Sequence, residues 1–326
     1  MKAWLLSQLG SVDNISLGDA PDPVAGKGEA VVALQYAALN PADRYLAEGQ
    51  YPARPTFPHI LGRDGIGKIV ELGEGTENWK IGDEVVIVRS EIGVSRAGTF
   101  AEKVAVPTES LVSHPAGWTA EQSAGATLVY LTAWQALTQW GDLPPSLVLV
   151  TGASGGVGIA TIHLAAALGH TVVGLSRGEG KVAAILEQGA SLVLDPNDTQ
   201  WRRKLKEMYR TRKVDLVVEN IGGSLFNELL DVMGMNGRIS VVGRLAGPVP
   251  AFNTASLFFR RLRIGGVAVG TYTAAESRIA WEQLVGRLRQ TGKAPLVDQV
   301  FDFTRLPDAF ARLHSGPLGK VLLKIA

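Results

Sequence analysis

The chain has 326 residues, 46% of them hydrophobic and 19% charged, a balance that fits a folded globular protein of two domains and excludes a disordered one. Its 32 Lys and Arg stand against 31 Asp and Glu, so no overall field draws it to nucleic acid or to an anionic membrane, and any anion site must be local. There is no cysteine, which removes disulfides, thiolate metal ligands, cysteine nucleophiles and Cys-X-X-Cys redox chemistry together.

In chain order, the apolar run near Met1 is too short for a signal peptide, and no stretch reads as a membrane span, so a cytoplasmic location is expected. Residues 30–35, 65–72, 84–88 and 100–106 are strand-like runs between Gly, Pro and Asp turns, an all-β texture with little helical periodicity. From about residue 125 strands alternate with helical segments. The strands fall at 147–151, 171–176, 191–194, 215–219, 238–242 and 263–269, which predicts an α/β fold with a doubly wound parallel sheet. After a helix over about 274–291, strand-like pieces at 296–301 and 319–325 have no βαβ rhythm and are assigned back to the N-terminal β domain. The expected domains are residues 1–125 and 271–326 together, with 126–270 as a cofactor-binding insertion.

The first strand of the insertion leads into Gly152-Ala153-Ser154-Gly155-Gly156-Val157-Gly158 and then an apolar helix. Glycine is needed there for a tight turn, for close backbone approach to a pyrophosphate and for packing of the helix on the strand. The helix N-terminus offers free N–H groups and partial positive charge to that diphosphate. Gly152, Ser154, Gly155, Gly156, Val157 and Gly158 are therefore candidate dinucleotide-binding residues. The plainer reading, a glycine-rich turn that only packs a helix, does not account for the complete βαβ unit around it.

The second strand ends in Ser176-Arg177, with Lys181 four residues on. An NAD site would place Asp or Glu here for the ribose hydroxyls. A hydroxyl, a guanidinium and an ammonium instead suit a 2′-phosphate, so NADP(H) is the expected cofactor. The competing reading of Arg177 and Lys181 is solvated charge at a helix start.

With these residues in place the chain resembles the medium-chain dehydrogenase/reductase superfamily, in its zinc-free quinone oxidoreductase and enoyl-thioester reductase branches. The likeness runs almost end to end, through Ala38-Leu39-Asn40-Pro41-Ala42-Asp43, Gly49-Gln50-Tyr51-Pro52, Leu61-Gly62-Arg63-Asp64-Gly65, Gly98-Thr99-Phe100-Ala101-Glu102, Asn220-Ile221-Gly222-Gly223 and Gly319-Lys320-Val321. It implies a GroES-like β domain, discontinuous in sequence, beside a Rossmann domain, and a homodimer. Where the zinc branch has Gly-His-Glu this chain has Gly62-Arg63-Asp64, so the resemblance implies no metal. A substitute site of hard ligands from His59, Asp43 and Asp64 is the weaker reading.

Without a Lewis acid, the accessible reaction is hydride transfer to an acceptor that already delocalises charge, a quinone or an α,β-unsaturated carbonyl. The close alternative is reduction of a trans-2-enoyl thioester carried on coenzyme A or a carrier protein; the distant one is a non-catalytic NADPH-binding protein. Charge developing on the acceptor oxygen calls for a hydrogen-bond donor. The resemblance implies Asn40, which stands where the zinc branch has a ligand, with an N-cap before Pro41 as its plain reading. It also implies Tyr51, in the loop where enoyl reductases carry a proton-donating tyrosine, with Tyr45 as the alternative. Asn220, Gly243 and Gly270, at the ends of the fourth to sixth strands, are expected along the nicotinamide riboside, and Lys320 near the cofactor phosphates. His163 is read as a helix-face residue with no catalytic role. Asp195 departs from the tyrosine common near the adenosine phosphate.

Overall fold

The computed structural model describes residues 1–88, 91–249 and 251–326. They form two compact units, one of Met1–Leu128, Gly270–Glu282 and Ala294–Ala326, the other of Val129–Val269 and Gln283–Lys293.

In the first unit the main sheet runs Val297–Asp302, Lys320–Lys324, Glu29–Ala38, Asp64–Leu72, Glu84–Ile87, Leu111–Ser113, with Lys103–Pro107 also pairing Glu29–Ala38. The C-terminal strands thus join the N-terminal β sheet: Lys320–Lys324 lies antiparallel to Glu29–Ala38, with Leu322 opposite Ala38. Alternation along the strands serves two faces. Ala30, Val32 and Leu34 pack with Ile69, Val85 and Ile87, whereas Ala38, Ile66, Val86 and Leu322 pack with Ala124. A smaller antiparallel sheet joins Ile15–Asp19, Lys2–Leu6 and His59–Ile60.

Between the strand-like runs 30–35 and 65–72 the chain forms a helix, Pro41–Ala47, started by Asn40 in an extended conformation, with Pro41 in its first turn and the Asp43 carboxylate accepting the Asn40 backbone N–H at 2.8 Å. Residues 100–102 stay outside the named strands, and the strand there is Lys103–Pro107.

The second unit is built on six parallel strands in the spatial order Leu192–Leu194, Thr171–Leu175, Leu147–Thr151, Val214–Glu219, Met233–Val241, Arg263–Gly266. Numbered along the chain this is 3-2-1-4-5-6, the order of a dinucleotide-binding Rossmann sheet. The central strand Leu147–Thr151 is buried along its whole length, which is why it reads as an unbroken apolar run. Two strands differ from expectation. The fifth starts at Met233 rather than 238, because Gly234, Asn236 (φ 58°) and Gly237 continue it in irregular backbone that reads as a turn. The sixth stops at Gly266, followed by a single 3-10 turn over Val269–Thr271.

His163, on the helix Gly156–Ala167, is 1% exposed. Its Nε2 faces Gln188 Oε1 at 2.9 Å, so Nε2 carries the hydrogen and Nδ1 accepts the Tyr130 hydroxyl at 2.8 Å. Burial pushes its pKa down from 6.5 to about 4. A base with a depressed folded pKa contributes stability above its unfolded pKa and loses it as pH falls towards the folded one. Between pH 7 and pH 5 this residue should therefore cost the protein about 2 kcal/mol. His163→Gln removes the titration, so the stability difference between wild type and variant should shift by that amount in denaturant unfolding at the two pH values. A pH-independent difference would show that His163 titrates normally.

Candidate functional site

In the second unit the turn after the first strand is held by backbone fit. Gly152 has φ +60°, and a Cβ on Gly158 would lie 2.4 Å from the Gly152 carbonyl oxygen and 2.7 Å from the Ala153 carbonyl carbon. Residue 158 can only be glycine if strand, turn and helix are to pack this closely. Gly155 is the N-cap of the helix Gly156–Ala167, so the N–H groups of Gly156, Val157 and Gly158 lack intrahelical partners, as first-turn groups do. Ser154 and Val157 are half-buried in the same turn.

At the end of the second strand Ser176 is 4% exposed, and its backbone N–H bonds Leu194 O at 3.0 Å. Arg177 is exposed, and among the described residues its guanidinium has no hydrogen-bond partner. Lys181 ends the 3-10 turn Glu179–Lys181 and is half-buried. Asp195 lies beside this turn, accepting Asn197 N at 2.8 Å and Gly178 N at 3.5 Å.

At the end of the fourth strand Glu219 is fully buried, and burial raises its pKa. Its Oε1 accepts the Thr151 hydroxyl at 3.1 Å and the N–H groups of Ile221 and Gly222 at 2.8 and 2.9 Å, while Oε2 accepts Gly222 N at 3.0 Å. One carboxylate thus ties the loop 220–223 to the end of the first strand. Asn220 is held by the same threonine: its backbone N–H donates to Thr151 Oγ1 at 2.8 Å and its amide to Thr151 O at 2.7 Å. The Asn220 Oδ1 is buried with no partner. An orphaned buried acceptor is costly, and a ligand hydroxyl or amide N–H would satisfy it. Gly243 abuts this loop; a Cβ there would come within 2.8 Å of Asn220 O. Gly270 is exposed and belongs to the first unit. Sequence reading passed over Glu219 because an acid ending a buried strand carries no motif; its one signal is the glycine pair three residues later, which needs a carboxylate to hold its N–H groups.

In the first unit the catalytic candidates gather with residues the sequence did not connect. Asp64, 1% exposed, accepts the Thr127 hydroxyl at 2.7 Å and Leu128 N at 3.0 Å on Oδ1, and the Asn40 amide at 3.0 Å on Oδ2. Lys320, 4% exposed, donates to Leu39 O at 2.9 Å and Asn40 Oδ1 at 2.6 Å, and stands 3.5 Å from Asp64 Oδ2. Its pKa is lowered, by burial first, against the raising effect of Asp64. Lys320, expected near the cofactor phosphates, thus has its neighbours Leu39 O, Asn40 Oδ1 and Asp64 Oδ2 inside the first unit. Asn40, itself 2% exposed, has both amide hydrogens turned inward, towards Asp64 and the Ala38 carbonyl.

Tyr51 is half-buried, and its hydroxyl oxygen accepts from Arg63 Nη1 at 3.1 Å with the guanidinium carbon 4.4 Å from the ring centroid. Arg63 in turn faces Asp43, Nε to Oδ1 at 3.7 Å. Asp43 is fully buried, and burial raises its pKa to about 6 in spite of Arg63. Tyr45 lies on the helix Pro41–Ala47, half-buried. Among the described residues no group of three or more His, Asp or Glu is placed to hold a metal ion, and the chain has no cysteine. His59 is buried with its Nε2 unpartnered. The residues present do not fit a catalytic zinc.

Residues 26–116 match the alcohol dehydrogenase GroES-like domain family, and residues 156–311 match the family described as zinc-binding dehydrogenase. Together these two families span most of the chain, which belongs to the medium-chain dehydrogenase/reductase superfamily. The acryloyl-coenzyme A reductase of Sulfurisphaera tokodaii is 29% identical over 97% of this chain and 98% of its own, and the quinone oxidoreductase of Sus scrofa 26% identical over 94% and 92%. The structure of an NAD-dependent alcohol dehydrogenase superposes with a TM-score of 0.91 at 27% identity over the whole of both chains. That of Escherichia coli quinone oxidoreductase complexed with NADPH, at 24% identity, shares the fold with a TM-score of 0.89 over 99% and 100%. No helix among the described residues is long and apolar enough to cross a membrane.

Proposed function

We propose that this chain is an NADPH-dependent oxidoreductase that works without zinc and delivers a hydride to a quinone or an α,β-unsaturated carbonyl. The observation that carries the reading is the glycine turn at the switch point of a 3-2-1-4-5-6 sheet, followed by Ser176 and the unpaired Arg177 where an NAD site has a carboxylate. Residues 126–270 hold the cofactor: the N–H groups of Gly156 to Gly158 meet the diphosphate, Ser176, Arg177 and Lys181 the 2′-phosphate, and Asn220 Oδ1 a riboside hydroxyl or the carboxamide. Bound NADPH supplies the hydride. Residues 1–125 and 271–326 supply the acceptor side, with Tyr51 rather than Asn40 as the hydrogen-bond donor, because the Asn40 amide is engaged inward. The reading includes a cytoplasmic homodimer acting on small molecules, with no nucleic acid or membrane partner.

A 2-enoyl thioester as acceptor is the second reading, favoured by the likeness to an acryloyl-coenzyme A reductase over nearly the whole chain. NADPH consumption, followed by its near-ultraviolet absorbance across quinones, enones and enoyl thioesters, separates the two. Turnover with at least one conjugated acceptor is expected, and none with any of them would leave only a non-catalytic NADPH-binding protein. For the cofactor, Arg177→Ala should weaken NADPH binding roughly 10- to 100-fold, the worth of one charge-assisted hydrogen bond, and leave NADH binding nearly unchanged. Equal losses measured by titration calorimetry would remove the 2′-phosphate role.

A further inference from the structure

The geometry points to Arg63 as the positioning residue of the proton donor: we infer that Arg63 and Tyr51 act as one unit, with the arginine holding the phenol so that its own hydrogen is left for the acceptor. This rests on the reading of Tyr51 given above. The Arg63 Nη1 donates to the Tyr51 hydroxyl oxygen at 3.1 Å while the guanidinium carbon lies 4.4 Å from the ring centroid, so both the tip and the face of the side chain are met by one partner. A guanidinium has no acceptor, so the contact can only run from arginine to tyrosine. The phenol oxygen is thereby used as an acceptor, and among the described residues nothing takes the phenol hydrogen.

The arginine is itself held in place from below. Its side chain is 11% exposed, Nε faces the fully buried Asp43 carboxylate at 3.7 Å, and Asp43 is fixed on the helix Pro41–Ala47 by the Asn40 backbone N–H. Nε and Nη2 are buried with no hydrogen-bond partner. A guanidinium gripped between the Asp43 carboxylate and the Tyr51 hydroxyl oxygen is held in one position, and the phenol is held with it.

The chemistry follows. When an acceptor takes a hydride from NADPH at one end of its conjugated system, the displaced electron pair collects on its oxygen. The Tyr51 O–H bond breaks, the proton goes to that oxygen, the bonding pair stays on the phenol oxygen, and the phenolate is stabilised by Arg63 until water returns a proton. Lysine in place of Arg63 would keep the charge and lose the flat fork that fixes the ring.

Four variants test the unit: Tyr51→Phe, Arg63→Met, Arg63→Lys and the double Tyr51→Phe/Arg63→Met. Losing a general acid lowers kcat by roughly 100-fold or more, so Tyr51→Phe and Arg63→Met should each do so, with NADPH affinity held within about twofold, and the double variant should be no slower than Tyr51→Phe alone. Arg63→Lys should recover part of the rate. Losses that multiply in the double variant would overturn the inference, as would an unaffected kcat in either single variant. A second measurement needs no turnover: in fluorotyrosine-labelled protein the resonance missing from Tyr51→Phe should move in Arg63→Met. A resonance that stays in place overturns the Arg63–Tyr51 unit even where the protein reduces nothing, whereas a moved resonance without turnover sinks only the enzymatic reading.

Discussion

Gly158→Ala should weaken cofactor binding roughly 100-fold or more. The added methyl meets main-chain atoms on both sides, the Gly152 carbonyl oxygen at 2.4 Å and the Ala153 carbonyl carbon at 2.7 Å, and neither belongs to a side chain that could swing away. The helix must move off the strand. Overpacking of this kind costs about 1–3 kcal/mol of stability. The effect on binding is larger, because the first-turn N–H groups are aimed by the same contact; losing two charge-assisted hydrogen bonds to a diphosphate weakens affinity roughly 100-fold or more. Gly155→Ala is the control for stability, since its Cβ would come no nearer than 3.4 Å to the Gly152 oxygen. Titration calorimetry with NADPH and thermal melts of both variants decide the matter. If Gly158→Ala binds like wild type, the turn is a packing device and not a cradle.

Asp64→Ala should be the most destabilising single change in the first unit, at about 3–5 kcal/mol, the usual cost of leaving a buried charge without its partner. The Lys320 ammonium keeps only the Leu39 carbonyl and Asn40 Oδ1, Thr127 and Leu128 lose their acceptor, and the Asn40 amide loses its anchor. Removing both charges, in Asp64→Ala/Lys320→Met, should cost less than the sum of the single losses, because neither charge is then stranded. Denaturant unfolding of the three variants gives the cycle. A single-variant loss under about 1 kcal/mol would mean that water reaches Lys320 and solvates it.

The two halves of the chain were legible in the sequence for different reasons. The Rossmann strands could be drawn to within a residue or two where a fully buried parallel strand leaves an unbroken apolar run, as at Leu147–Thr151. The reading failed at Met233–Val241, where glycines and a positive-φ asparagine continue a strand through what looks like a turn. In the first unit the sequence offered Asn40 as an N-cap before Pro41, which the structure bears out, but did not draw the helix Pro41–Ala47 that follows. The glycines of the cofactor turn announce themselves through spacing. The residues that hold the candidate donors do not: Asn40 meets Lys320 across 280 residues and Asp64 across 24, and Arg63 reaches Tyr51 around a loop. Such pairs exist only once the sheet has brought the strands Asp64–Leu72 and Lys320–Lys324 to either side of Glu29–Ala38. The partners of Lys320 were illegible for the same reason, since the motif around it says nothing about which acceptors surround it. Asp195 was visible as a departure from the family pattern, and its carboxylate does lie beside the turn that carries Arg177.

Hydride transfer from NADPH in the proposed reaction should need no metal. It is tested most directly by exhaustively dialysing the protein against a chelator and measuring NADPH oxidation with a quinone and an enone before and after. The expected result is an unchanged rate with the best acceptor, which added zinc does not raise; a rate that falls on chelation and returns with zinc would contradict the account.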